Sequence, residues 1–437
     1  MTAYAFPAEL TEQVMDRWRT FVSRHDSPAP PLPPALVLRG LLETAFFASF
    51  VREEGRDLRF VLCCATGLDV RRDGVAEHVP VMPLAAPRPL TIESIRALAP
   101  AVNASNAALL VRFSADDASM LPEITGVLHV GADLARARHG RSFYHRPAPY
   151  ALLIDVRDAG ELHIYRGGIK LAAMRAGQLH DQIAFSSLEL LPISDILARG
   201  EQALRPRVRP PSHEAARDTS DFEWTALLNT ILCIVNGVRE LNHGGTLLIV
   251  APGSEPSLPI RPKFRLDERA DLLSQRFIDF LNTRHALVGE RWLTHGSSRP
   301  ARGTAMAAWE TAAFAAEDEL ADAADVVAGL SAVDGAVVLR SDLQVLSFGA
   351  EIVLDAARPI TAYEATGGVR RGGEWPTADS ESFGMRHRSA IRCVAVAENT
   401  AAFIVSQDGT VTFCWKQGGR VLLKRNVNTA NPNMVGA

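Results

Sequence analysis

The chain has 437 residues, of which 47% are hydrophobic and 22% charged, with a net charge of −4. The length exceeds one ordinary domain and implies two, and the composition is that of a globular protein. The slightly negative balance argues against a general nucleic-acid binder, whose surface is ordinarily basic; it leaves room for a local basic site for a small anion.

The N-terminal stretch MTAYAFPAELTEQVMDRW lacks the basic-then-apolar order of a signal peptide. A first helix is predicted from about Thr11 to His25, stopped by DSPAPPLPP (26–34). An apolar helix, ALVLRGLLETAFFASFVREEG, follows, and then a strand, LRFVLCCA (58–65). TIESIRALAP reads as a short helix capped by Thr91. ALLVRF (108–113) and ITGVLHVG (124–131) read as strands, and residues 150–177 hold three β-rich runs separated by RDAG and RGG, the pattern of a meander. Residues 199–220, rich in Pro and Arg and without an apolar period, read as a boundary.

Beyond it the pattern is a helix over 221–242, HGG (243–245), a buried strand TLLIVAP, and helical stretches near 268–283 and 304–330. Leu272, Leu273, Phe277, Ile278 and Leu281 repeat at helical spacing. Strands GAVVLR and VLSFG, a Gly- and Arg-rich loop, a helix from 386 and strands at 402–406 and 410–415 complete the chain. The expected fold is therefore α/β to α+β: a mixed α+β domain over 1–200, a linker over 201–220, and a mixed sheet flanked by helices over 221–437. The longest apolar stretch, WTALLNTILCIVNGV (224–238), is short for a membrane span and is interrupted by Asn229 and Asn236. The expectation is a soluble, cytoplasmic protein with neither membrane nor nucleic-acid partner. Its five cysteines include no CxxC pair or Cys/His ligand spacing, so they are expected to be reduced core residues rather than zinc ligands.

Three stretches of the second half could carry chemistry. In VDGAVVLRSD, Asp334 precedes Gly335 and Ala336 at a strand start, and two small residues leave room for a ligand beside the backbone. A carboxylate there suits a hard cation such as Mg²⁺, which takes oxygen ligands and keeps nucleotide phosphates as partners; taken alone, Asp-Gly is more often a plain turn. In FGMRHRSAIR, Arg386, His387 and Arg388 crowd positive charge onto a helix start, an end that ordinarily prefers acids. Forked arginine bonds together with unpaired helix N–H groups form a phosphate cradle; the plainer alternative is a solvated basic surface. In IVSQDGTVTF, Ser406, Asp408 and Thr410 follow a buried strand, where α/β sheets commonly place functional residues and where a hairpin turn would also fit.

The order of these stretches, DGA, then FGA (348–350), then Gly384-Met385-Arg386-His387-Arg388, then Ser406-Gln407-Asp408, behind a helix–HGG–strand unit, resembles the diadenylate cyclase family over about residues 220–437. That family joins two ATP molecules into cyclic di-AMP and releases pyrophosphate. The resemblance implies that Asp334 is the metal-binding acid beside the reacting 3′-hydroxyl, next to Gly335 and Ala336. It makes Arg386, His387 and Arg388, entered through Gly384 and Met385, the triphosphate cradle, with Ser406 alongside. Asp408 would be a second acid able to contact Mg²⁺ or Mn²⁺, and the backbone at Phe348 and Gly349 would border the adenine. It further implies a homodimer, or a higher homo-oligomer with facing sites, because each nucleotide attacks the other. Met385 stands where the family has threonine and Gln407 where it has an acid; residues 355–383, with GGVRRGGEW, and 252–330 are enlarged. An altered metal site, another nucleotide, or a nucleotide-binding sensor without turnover are each compatible with those departures. Arg370 and Arg371 read as a basic surface loop or a phosphate-gripping one.

Residues 1–200 contain no Walker A, HExxH, GxSxG or GxGxxG sequence, and His129, His145 and His163 form no ligand spacing. Their layout resembles the sensor domains fused ahead of some bacterial diadenylate cyclases, which implies an unknown signal ligand there.

Overall fold

The computed structural model describes residues 5–20, 30–53, 55–71, 78–102, 104, 106–129, 149–167, 169–175, 177–180, 193–209, 216–241, 243–267, 271–293, 299–354, 360–365, 375–378, 383–407, 409–427 and 429. The chain divides into two compact units, Met1–Phe185 with Pro432–Ala437, and Ser186–Asn431. Each is an α+β structure built on its own mixed eight-stranded sheet.

The first unit runs α1 (Pro7–Thr20), α2 (Ala35–Ala48), the two-residue strands β1 (Arg52–Glu53) and β2 (Arg56–Asp57), β3 (Phe60–Ala65), β4 (Val81–Pro89), α3 (Ile92–Leu98), β5 (Ala107–Arg112), β6 (Glu123–His129), β7 (Leu152–Asp158), β8 (Glu161–Arg166), β9 (Ile169–Arg175) and β10 (Gln178–His180). Its large sheet has the order β10-β9-β8-β7-β3-β5-β6-β4. β3 and β5 are parallel, and the expected meander is the antiparallel run β7-β8-β9-β10. The turn glycines Gly160 and Gly167 have φ of +70° and +56°, where a side chain would be strained. Thr91 caps α3 as expected, its side chain accepting from Ser94 N at 3.1 Å. The helices cover one sheet face: Leu38, Leu41 and Leu42 of α2 pack with Phe60, Leu62, Leu109, Ile154 and Ile164. The alternate residues Val61, Cys63, Leu110, Leu153 and Tyr165 form a second, smaller core. β4 carries Pro83, Pro87 and Pro89 and lies at the sheet edge, the place where missing N–H donors are tolerated.

The second unit runs α4 (Ser194–Leu204), α5 (Ala216–Glu240), β11 (Gly245–Val250), β12 (Ile260–Arg265), α6 (Leu272–Leu293), α7 (Arg299–Gly329), β13 (Ala336–Arg340), β14 (Val345–Ile352), β15 (Ala362–Glu364), α8 (Met385–Val396), β16 (Thr400–Val405), β17 (Val411–Gln417) and β18 (Arg420–Lys424). The sheet order is β12-β14-β13-β11-β16-β17-β18-β15. α8 lies on one face: Ala390, Ile391 and Val394 pack against Leu248, Val250, Val338, Ile404 and Cys414. Leu247, Ile249, Leu339 and Phe403 are also buried and point to the opposite face, where α5 packs on β16 and α7 packs on α5 and α6. Each fully buried Leu or Ile contributes about 1.5–3 kcal/mol, so this double-sided core explains the unbroken apolar runs of β11 and β16. Asn236, one of the polar interruptions in α5, is buried and donates through Nδ2 to the Thr429 carbonyl at 2.9 Å. Asn229, equally buried, shows no hydrogen-bond partner among the described residues.

The stretch read from sequence as boundary and linker holds structure. The division falls between Phe185 and Ser186, residues 194–204 are α4, residues 205–207 form a 3-10 turn, and α5 begins at Ala216. α4 belongs to the second unit: Ser341 Oγ donates to the Ile196 carbonyl at 2.7 Å, and Gly200 sits so close that an added Cβ would come within 2.2 Å of the Ser341 carbonyl oxygen. Its apolar positions, Ile196, Leu197 and Leu204, were obscured by the flanking Arg and Pro residues.

Candidate functional site

The register of the second sheet decides which motif residues share an edge. β11 and β13 are parallel neighbours with Thr246 opposite Ala336, so Gly244 is level with Asp334 one strand spacing away, about 4.8 Å. β16 runs antiparallel to β11 with Gly245 opposite Val405, which brings Ser406 to the same edge. The β16–β17 turn closes there through Ser406 N donating to Thr410 O and Gly409 N donating to Ser406 O, both at 2.9 Å. This is the hairpin turn, and it lies at the same edge as Gly244 and Asp334. Asp408 lies outside the described residues, as do Arg370 and Arg371.

α8 starts at that edge. Gly384 occupies its N-cap in an extended conformation and supplies no side-chain cap, so the first helical N–H groups are not satisfied by a capping side chain. Arg386 Nη1 donates to the His243 carbonyl at 2.9 Å and crosses over Gly244, where an added Cβ would lie 2.8 Å from it. Gly244, with φ +67°, is thus required by its backbone conformation and by the Val405 carbonyl oxygen, which would lie 2.6 Å from an added Cβ. His387 stacks on Phe383, with centroids 5.5 Å apart and 16° between planes, and its Nε2 lies 3.2 Å from Thr412 Oγ1. Arg425 covers the Phe383 ring at 4.5 Å and is held by Glu364 at 2.7 Å. Arg388 is half-buried; its backbone N–H donates to the Gly384 carbonyl at 3.2 Å, and its guanidinium has no hydrogen bond or ion pair among the described residues.

Asp334 is exposed, and its carboxylate likewise has no partner among the described residues. Gly335 and Ala336 differ from the expectation of open space. Gly335 has φ +125°, and an added Cβ would meet Gly349 C at 2.4 Å and Ala350 N at 2.8 Å. The room its hydrogen leaves is filled by the β14 backbone, and Ala336 is buried in the core beneath α8. Of the DGA triplet, Asp334 alone presents a polar side chain to the edge, and Gly335 fixes where it stands. Gly349, at φ +60°, forms the other half of that close approach. Phe348 stacks on the half-exposed Phe264, centroids 4.9 Å apart.

Sequence reasoning missed three contributors: His243, whose carbonyl anchors Arg386; Phe383, which props His387; and Lys263, whose Nζ donates to the Asp334 carbonyl at 3.1 Å. β12, which carries Lys263, contains Pro262 and alternates poorly, so it read as part of an insertion. Among the described residues no cluster of three or more His, Cys, Asp or Glu could hold a metal ion. A divalent cation here would rest on Asp334 and on substrate oxygens, a set that suits Mg²⁺, which is commonly held by one or two carboxylates plus phosphates.

The cysteines take no part. All five are free and buried. Burial pushes the Cys63 and Cys393 thiols up to about 12, and Cys64 and Cys414 are also raised by burial and by their neighbouring thiols. No helix among the described residues is long and apolar enough to cross a membrane.

Residues 27–129 match the family model described as Probable sensor domain DACNV. The match spans α2 to β6 of the first unit and stops before the meander. No family model of a diadenylate cyclase catalytic domain matches the chain. No curated protein matches it either.

Proposed function

We propose that the second unit is a metal-dependent diadenylate cyclase, condensing two ATP into cyclic di-AMP and pyrophosphate, and that the first unit regulates it in response to a signal. The observation that carries the reading is the β11–β13 register together with the Arg386–His243 bond. A carboxylate without a partner among the described residues and a cationic helix start without a side-chain cap stand on one sheet edge. The N-terminal match is to a sensor domain of the kind found ahead of diadenylate cyclase domains.

In this reading the triphosphate lies across the start of α8. The helix N–H groups and the Arg386 and Arg388 forks donate to its oxygens, each charged bond worth about 1.5–3 kcal/mol. His387, wedged between Phe383 and Thr412, is fixed against that end of the helix. Asp334 would hold Mg²⁺ or Mn²⁺, which when bound supplies Lewis-acid charge neutralisation at the phosphates. Phosphoryl transfer needs in-line placement and neutralised charge more than covalent help from the protein. The 3′-hydroxyl of one nucleotide gives its proton to solvent as its oxygen bonds to the α-phosphorus of the other; the bond from that phosphorus to the β-phosphate oxygen breaks and pyrophosphate leaves, and the second bond forms reciprocally with release of a second pyrophosphate. One site holds one nucleotide, so two copies of the chain must face each other.

A second reading is a nucleotide-binding sensor without turnover. It rests on Met385, 76% exposed at the first helical position where the family has a hydroxyl, and on the exposed Gln407. Incubating the purified chain with ATP and Mg²⁺ or Mn²⁺ and identifying products by mass spectrometry separates the two. Cyclic di-AMP with pyrophosphate, lost in Asp334→Asn, supports the cyclase; ATP bound and recovered unchanged supports the sensor.

A further inference from the structure

We infer that Lys263 is an additional phosphate-binding residue, gripping the nucleotide from the side of Asp334 opposite to Arg386; this rests on the nucleotide reading above. Along the sheet edge the order is β12, β14, β13, β11, β16. Asp334, at the start of β13, therefore lies between Lys263 on β12 and the β11 edge where Arg386 is anchored. Lys263 is exposed, its stem runs over Gly349 with Cβ and Cδ each 3.4 Å from where a Cβ on that glycine would sit, and its ammonium reaches across β14 to the Asp334 carbonyl at 3.1 Å. The positive φ of Gly349, with Val333 Cγ1 3.0 Å from the same Cβ position, disfavours a side chain there and so keeps the path from β12 to β13 open to the lysine stem.

The ammonium has three donors and spends one of them on that carbonyl. That leaves two for a ligand held beside Asp334. Charge balance points the same way. A triphosphate and Asp334 together carry more negative charge than one divalent cation and the Arg386 and Arg388 guanidiniums cancel, and a further cation at this edge lowers the remaining repulsion. A lysine on an edge strand can also serve merely to discourage strand pairing, and Arg265, two residues along the same strand and also exposed, provides the control for that role.

The test uses the full-length chain and the variants Lys263→Met, Lys263→Arg and Arg265→Met, measuring ATP affinity by calorimetry with Mg²⁺ present, alongside thermal midpoints. The expected result is that Lys263→Met weakens ATP about tenfold or more, the loss of one charge-assisted bond. Lys263→Arg should recover most of the affinity, Arg265→Met should change it less than about twofold, and all midpoints should stay together. ATP binding by Lys263→Met equal to the unsubstituted chain, or an equal loss in Arg265→Met, overturns the assignment of Lys263 while leaving the nucleotide site standing. Failure of the unsubstituted chain to bind ATP at all overturns both.

Discussion

Replacing Gly335 by alanine separates a packing role from a ligand-clearance role. The residue has φ +125°, and the new Cβ would lie 2.4 Å from Gly349 C and 2.8 Å from both Ala350 N and Gly349 Cα, all backbone atoms that cannot rotate away. Holding alanine in that conformation costs about 1–3 kcal/mol, and forcing β13 and β14 apart costs about 1–3 kcal/mol more. The sum, about 2–6 kcal/mol, is a large share of the 5–15 kcal/mol typical of a folded domain. For a unit of this length each kcal/mol lowers the midpoint by about 2–4 °C, so a fall on the order of 10 °C is expected. Five of the six tryptophans lie within residues 186–431, so a fluorescence-detected melt of the whole chain follows mainly that unit. A midpoint within about 2 °C of the unsubstituted chain, with ATP affinity lost, would refute the packing argument and restore Gly335 as the gap through which a ligand meets the backbone.

Asp334→Asn should leave the midpoint unchanged, because an exposed side chain with no partner among the described residues changes stability by less than about 0.5 kcal/mol, while metal-dependent ATP binding and turnover are lost. The Arg386→Ala/Arg388→Ala double variant should lose ATP binding with a stability cost of about 1 kcal/mol from the broken bond to His243; a calorimetric titration and a melt check both halves. His285 gives a pH signature: burial alone would lower its pKa, but Glu223 at 3.1 Å and the Arg209 carbonyl at 3.0 Å together raise it. A raised folded-state pKa stabilises fully below the unfolded value, about 6.5, and that contribution disappears as pH rises through the folded value. Urea unfolding of His285→Gln should therefore show a flatter decline from pH 6.5 upward than the unsubstituted chain. Finally, the five buried thiols should resist a neutral-pH disulfide reagent in the native state and all react after denaturation.

Elements with a clear apolar period were legible in the sequence. α5, β5, β6, β11 and β16 stand within about five residues of their expected places, because each buries a continuous stripe or both faces; α2 begins at Ala35 as expected but ends at Ala48, and the stretch expected to continue it holds the short strand β1 instead. Elements whose role is to end a sheet were not. β4 and β12 carry prolines and charges because they are edge strands, and the same residues that blunt an edge imitate a loop. α4 was hidden for a different reason: its apolar face is short and lies among Arg and Pro residues, and its docking depends on Gly200 meeting Ser341, a contact between residues far apart in sequence. At the candidate site, motif order singled out Asp334 and Arg386–Arg388, yet no local pattern shows that strand register and the Arg386–His243 bond put them on one edge. Nor does one show that Gly335 is filled by Gly349, or that Lys263 reaches Asp334 from a strand about seventy residues earlier.

The most direct measurement is a crystal structure of the full chain with a non-hydrolysable ATP analogue and Mn²⁺. The account requires the metal on Asp334 and the triphosphate across Arg386, His387 and Arg388, on a single nucleotide. A nucleotide bound away from this edge, or one that touches the α8 start while Asp334 remains remote from its phosphates, would contradict it.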